Sequence, residues 1–186
     1  PISPDPRERA EALEKNRRCL DLADRIGARC CVNVAGSRSS EFWYAPHADN
    51  LSEATFDLVV ETVRSIIDDV RPKRAVYALE AMPHTWPDSP SAYSRILKAI
   101  DRRAAGAHLD PVNLVSSPQL YYRNADLIRE CFRELGPRIV SCHAKDTRLD
   151  QRRLTVHLQE VAPGDGALDY GVFLAELAKL PADTPL

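Results

Sequence analysis

Glu80, Asp110 and His143 each stand directly after a short apolar run: Ala75-Val76-Tyr77-Ala78-Leu79, Ala105-Gly106-Ala107-His108-Leu109 and Arg138-Ile139-Val140-Ser141-Cys142. Two carboxylates and one imidazole delivered to one place make a mixed oxygen and nitrogen donor set. Such a set suits Mn²⁺ or Mg²⁺ and admits Co²⁺ or Zn²⁺. Taken singly, each residue reads as an ordinary loop-facing polar group. Three successive runs that all end in a metal-ligand type make a pattern that a single one does not. Other polar residues crowd the same ends. Asn113 follows Asp110 by three positions, and Lys145, Asp146 and Arg148 follow His143 within one loop. Lys145 and Arg148 also fit a solvated charge run.

Gly164-Asp165-Gly166 reads either as a tight turn or as a backbone-amide cradle for an oxyanion. Trp43 and Trp86 fall in loops on this side and either wall a ligand pocket or roof the core. His47, His84 and His157 are isolated and receive no ligand role. His108 lies inside an apolar run and reads as a core histidine or as a support behind a site.

The elements that must position these groups alternate in type. Residues 7–26 place Leu13, Leu20, Ala23 and Ile26 on one face, and Gly27 ends that helix. Residues 30–34 form a buried strand. Ser52 caps a helix bearing Phe56, Val59, Val63, Ile66 and Val70, and Pro72 stops it. After the strand that ends at Glu80, Ser89 and Pro90 open another helix. A further helix starts at Asn124 or Asp126, Leu154–Val161 holds a short extra strand, and Asp169 caps a last helix. Alternating β and α elements imply parallel crossovers. An open doubly wound sheet would carry a glycine-rich phosphate turn after its first strand, and Val34-Ala35-Gly36-Ser37 is too weak for that. A (β/α)₈ TIM barrel fits better, because the carboxyl ends of its strands share one mouth.

Composition narrows the class. A chain of 186 residues, 44% hydrophobic and 28% charged, suits a single α/β domain with a real core. No apolar run approaches the roughly 18 residues of a membrane helix. The first residues carry no signal-peptide pattern. A net charge of −2 leaves no electrostatic footprint for nucleic acid or anionic lipid. The five cysteines form no C-x-x-C pair and read as reduced thiols, with Cys19 and Cys131 on apolar helix faces and Cys142 in a strand. A cytoplasmic location is expected from that cysteine usage. Asn50-Leu51-Ser52 matches a glycosylation sequon but is discarded without a signal peptide.

Four segments occur in order: Tyr77–Glu80, Gly106-Ala107-His108-Leu109-Asp110-Pro111-Val112-Asn113, Ser141-Cys142-His143-Ala144-Lys145-Asp146 and Pro163–Tyr170. Together they make the chain resemble the sugar phosphate isomerase/epimerase family with the xylose isomerase-like TIM barrel. The resemblance runs from about residue 7 to 186. It implies a divalent metal held by Glu, Asp, His and a second Glu, the first three matching Glu80, Asp110 and His143. The second Glu belongs to the end of the last barrel strand, past Leu186. The chain is therefore expected to be an incomplete (β/α)₈ barrel, without the first two strands and the last, and marginal in isolation. Its open sheet edges are compatible with a homo-oligomer.

The activity the resemblance implies is metal-dependent isomerisation or epimerisation of a small sugar or sugar phosphate through an enediolate. Glu80 would move the proton, and Asn113, Lys145, Asp146 and Arg148 would bind substrate. Dehydration of a polyol or keto acid passes through the same enolate and is the alternative. Related ketose 3-epimerases carry His where Asn113 stands, which argues against a free ketohexose. The endonuclease-like hydrolase branch needs further histidines, and Asn113 and Arg152-Arg153 stand at such places, so that reading is weaker.

Overall fold

A computed structural model describes residues 1–186. Four parallel strands form one sheet in sequence order: β1 (Cys30–Val34), β2 (Val76–Glu80), β3 (Ala105–Leu109) and β4 (Ile139–Cys142). Helices α1 (Pro6–Ile26), α2 (Glu53–Val70) and α3 (Pro90–Ile100) alternate with the strands. Two short helices, α4 (Pro111–Leu114) and α5 (Pro118–Tyr122), precede α6 (Asn124–Leu135). An antiparallel hairpin, β5 (Asp146–Leu149) and β6 (Leu158–Val161), follows β4, and α7 (Tyr170–Leu177) comes last. No helix is long and apolar enough to cross a membrane.

Local chemistry sets the helix boundaries. Asp5 accepts from Arg7 N at 2.7 Å to cap α1, and Gly27 closes it at φ 75°. Ser52 and Ser89 cap α2 and α3 through the amides of Thr55 and Ala92, each at 3.2 Å. The strands bury Tyr77, Leu79, Leu109 and Ile139 against Leu20, Val63, Ile66, Ile96, Ile100 and Ile128 of the helices. Cys142 and Cys131 join this layer, so Cys142 faces the helices as strand alternation requires. Cys19 departs from its expected place: it lies on the solvent side of α1.

The sheet is curled. Strands in a flat sheet are about 4.8 Å apart, so β1 and β4, three intervals away, would stand about 14 Å apart. Yet Cys30 Sγ of β1 lies 3.3 Å from Ser141 Oγ of β4. Two such short side chains meet only if the sheet bends around a common interior, as the wall of a barrel does. Gly106 permits the bend. A Cβ there would stand 2.8 Å from Val76 Cγ1 and 3.1 Å from the Arg138 carbonyl oxygen.

Candidate metal centre

The three strand-end residues converge. His143 Nδ1 stands 3.5 Å from Glu80 Oε1 and 3.5 Å from Asp110 Oδ2. Each arrives by the same route: a parallel strand ends, and its last inward-facing residue projects over the barrel mouth. Asn113, on α4, donates through Nδ2 to Glu80 Oε1 at 3.1 Å. Asp110 Oδ1 caps α4 by accepting from Val112 N at 3.0 Å. Its Oδ2 is left facing the site. Lys145 Nζ lies at ion-pair distance from that oxygen, 3.0 Å, and 3.1 Å from Glu160 Oε2.

The electrostatics follow from crowding. Burial, and then the charge of Asp110, push the Glu80 carboxyl above the usual carboxylate range against the pull of His143 and Lys145. Burial, then the neighbouring His143 and Lys145, lower the His108 ring to about 4. Burial and then Asp110 push the Cys142 thiol up to about 12, which leaves it a poor nucleophile beside the site.

A divalent ion suits the residues present. Asp110 is fully buried, and no well-aligned hydrogen bond reaches its Oδ2. The buried His108 Nε2 also has no partner. Donor atoms of Glu80, His108 and His143 all lie within 4.8 Å of one another. Oxygen and imidazole donors with free lone pairs around one point are what a borderline or hard divalent cation takes.

Two of the residues expected to bind substrate are placed elsewhere. Asp146 is buried, and its carboxylate accepts four amides: Thr147 N and Leu168 N at Oδ1, Gly164 N and Gly166 N at Oδ2, at 2.8–3.0 Å. The amides of Gly164 and Gly166 do cradle an anion, but the anion is the chain's own Asp146. Substrate has no lone pair left to approach. Arg148 is exposed on β5 and lines a groove of about 570 Å³ with Tyr121, Gln159 and Arg152, which none of Glu80, His108, Asp110 and His143 lines.

Trp86 is buried, donates to Ser52 O at 3.1 Å and meets Phe56 edge-on, so it roofs the core. Trp43 is exposed. His47 caps a 3₁₀ turn, and His84 Nε2 meets the Tyr44 carbonyl at 2.7 Å. Sequence reasoning missed Glu160 as the partner of Lys145. It also missed His108 as a member of the donor cluster, although the two-residue strand period puts His108 on the face of Asp110.

The family pattern described as xylose isomerase-like TIM barrel matches residues 1–186. No curated protein sequence matches the chain. Among solved structures, it resembles a xylose isomerase-like TIM barrel protein from Mycobacterium smegmatis in complex with magnesium. That match has 20% identity and a TM-score of 0.69, over 94% of this chain and 59% of the other. The probable 3-DHS dehydratase AsbF of Bacillus anthracis aligns with 18% identity and a TM-score of 0.71, over 100% of this chain and 65% of that one. D-psicose 3-epimerase from Clostridium cellulolyticum H10, solved with D-tagatose, aligns with 14% identity and a TM-score of 0.68, over 98% and 57%. The chain thus spans less than two thirds of the length of each. At these identities the likeness establishes the fold alone.

Proposed function

The chain belongs to the xylose isomerase-like TIM barrel family, and from that premise we propose that it carries the metal-binding part of an isomerase or epimerase for a small sugar or sugar phosphate. The observation that carries this reading is the meeting of Glu80 and Asp110 at His143 Nδ1, 3.5 Å from each, over three adjacent strand ends. Glu80, Asp110 and His143 would hold the divalent ion. When bound, that ion would polarise a carbonyl and the neighbouring hydroxyl and make the C–H bond between them more acidic.

This chain's own residues supply the rest. Glu80 is the carboxylate at the rim of the site, held by Asn113, and moves the proton from carbon. Lys145, anchored between Asp110 and Glu160, presents an ammonium to substrate oxygens where charge builds up in the enediolate. Trp86 and the α2 residues beneath it exclude water from the wall and take no part in chemistry. The same ammonium can protonate a departing hydroxyl, and this favours dehydration of a polyol or keto acid as the second reading.

Exchange of a substrate carbon-bound hydrogen with D₂O, followed by NMR on the full-length protein with Mn²⁺, tests the proposal. Ketoses and ketose phosphates should exchange the hydrogen beside the carbonyl, without loss of water. The Glu80→Gln variant should lose exchange and metal affinity together, and His143→Ala should weaken metal binding first. A product lighter by one water would select dehydration instead. Full exchange and full metal affinity in Glu80→Gln would sink the assignment of Glu80.

A further inference from the structure

Resting on the metal-site reading above, we infer that His108 is an additional ligand of the same ion, giving the site a second imidazole. His108 sits in the middle of β3, in register with Glu80 on one side and Ser141 on the other. It is 4% exposed, so its ring has no access to bulk water. One ring nitrogen is accounted for: Nδ1 lies 2.7 Å from Ser141 Oγ, which in turn lies 3.3 Å from Cys30 Sγ. The other, Nε2, is buried with no hydrogen-bond partner of any kind. A buried ring nitrogen left bare forfeits its hydration with nothing in return, which is why a ligand is expected there.

The His108 ring lies beside the strand-end groups. The rings of His108 and His143 meet edge to face with centroids 4.1 Å apart. Donor atoms of Glu80, His108 and His143 fall within 4.8 Å of one another. Two donors on opposite sides of one ion, each at about 2.0–2.3 Å, stand about 4.0–4.6 Å apart, so small side-chain rotations close the set. With Nδ1–H donating to Ser141 Oγ, and the Ser141 hydroxyl donating to Cys30 Sγ, the lone pair remains on Nε2. This is the arrangement by which a ligating imidazole is oriented from behind. The strand position explains why His108 reaches the ion from below, while Glu80, Asp110 and His143 reach it from the rim.

A second imidazole changes which ion the site prefers. Each added nitrogen donor favours Zn²⁺, Co²⁺ and Cu²⁺ over Mg²⁺, whose ligands are oxygens. The test uses the full-length protein with Zn²⁺, Mg²⁺ and Cu²⁺ as probes. Pulsed EPR of the Cu²⁺-loaded native protein should count one more coordinated imidazole than the His108→Leu variant. Titration calorimetry should show Zn²⁺ affinity falling by roughly 100-fold or more in His108→Leu, while Mg²⁺ affinity changes far less. Ser141→Ala removes only a hydroxyl and should cost about 10–100-fold in Zn²⁺ affinity, which keeps the inference testable if His108→Leu does not fold. Native protein that binds Zn²⁺ with the same imidazole count and affinity as His108→Leu overturns the role of His108 alone. So does unchanged Zn²⁺ affinity in Ser141→Ala. Native protein that binds none of the three ions overturns the metal-site reading as well.

Discussion

At the scale of single residues, the candidate site differs from its surroundings in which lone pairs are free: Asp110 Oδ2 and His108 Nε2 have no well-aligned hydrogen-bond partner, while the Asp146 carboxylate accepts four amides. Glu80, Asp110 and His143 could be read because each breaks an apolar run, and hydropathy alone marks that place. His108 breaks its run in the middle, where hydropathy cannot separate a core histidine from a ligand. Asp146 was legible as a polar residue near the site but not as a saturated one, because its four amide partners lie up to 22 positions away. That saturation has a measurable consequence. Burial raises the Asp146 carboxyl, but the amides of Leu168, Thr147, Gly164 and Gly166 outweigh it and leave it below its ordinary 3.8. A carboxylate with a lowered folded value contributes stability that is present above 3.8 and is lost as pH falls through that lower value. Asp146→Asn turns an NH₂ toward donor amides and should cost about 1–3 kcal/mol in urea unfolding near pH 7. The gap between the two proteins should narrow below pH 3.8. A pH-independent gap would mean that the carboxylate charge is irrelevant to the turn.

At the scale of elements, periodicity found the four strands and the long helices, since each has one apolar face against one core. Three pieces escaped it: α4, α5 and strand β5. The two helices are each a single turn opened by proline, too short for a period to register. Strand β5 carries Asp146-Thr147-Arg148-Leu149, a polar string that pairs with β6 because Asp146 anchors the turn beyond it. The curl of the sheet was legible only as a fold class. Its local device is Gly106, whose missing side chain lets Val76 and Val140 approach from the flanking strands. Gly106→Ala would put a Cβ 2.8 Å from Val76 Cγ1 and 3.1 Å from a carbonyl that cannot rotate away. Overpacking of this kind costs about 1–3 kcal/mol. Thermal melts followed by circular dichroism should fall by roughly 2–4 °C per kcal/mol for a domain of this size. A change under about 0.5 kcal/mol would show that the flanking strands part freely there.

At the scale of the whole molecule, the proposed metal site and the fold would form one system. Glu80 ends β2, and Asp110 and His143 directly follow β3 and β4, so an ion held by all three would add a cross-link at one end of three strands that already pair side by side. Before an ion binds, Glu80 and Asp110 repel each other, and the raised Glu80 carboxyl records that strain together with burial. A ligand that binds only the folded state stabilises it by about 2.7 kcal/mol at a hundredfold excess over its Kd. Mn²⁺ at that excess should therefore raise the Tm of the full-length protein by roughly 5–10 °C, reversibly with EDTA. The pH dependence has a definite sign. Metal competes with protons for the same lone pairs, so the metal-induced part of the stability must shrink on acidification. Because Glu80 holds its proton above the ordinary 4.5, the shrinkage should begin at a higher pH than an ordinary carboxylate would give. Glu80→Gln removes both the donor and the repulsion. That variant should melt no lower than the native protein without metal, and should gain little from Mn²⁺. An equal Mn²⁺ shift in native protein and variant would place the ion away from the strand ends, and the coupling of site to barrel would then be wrong.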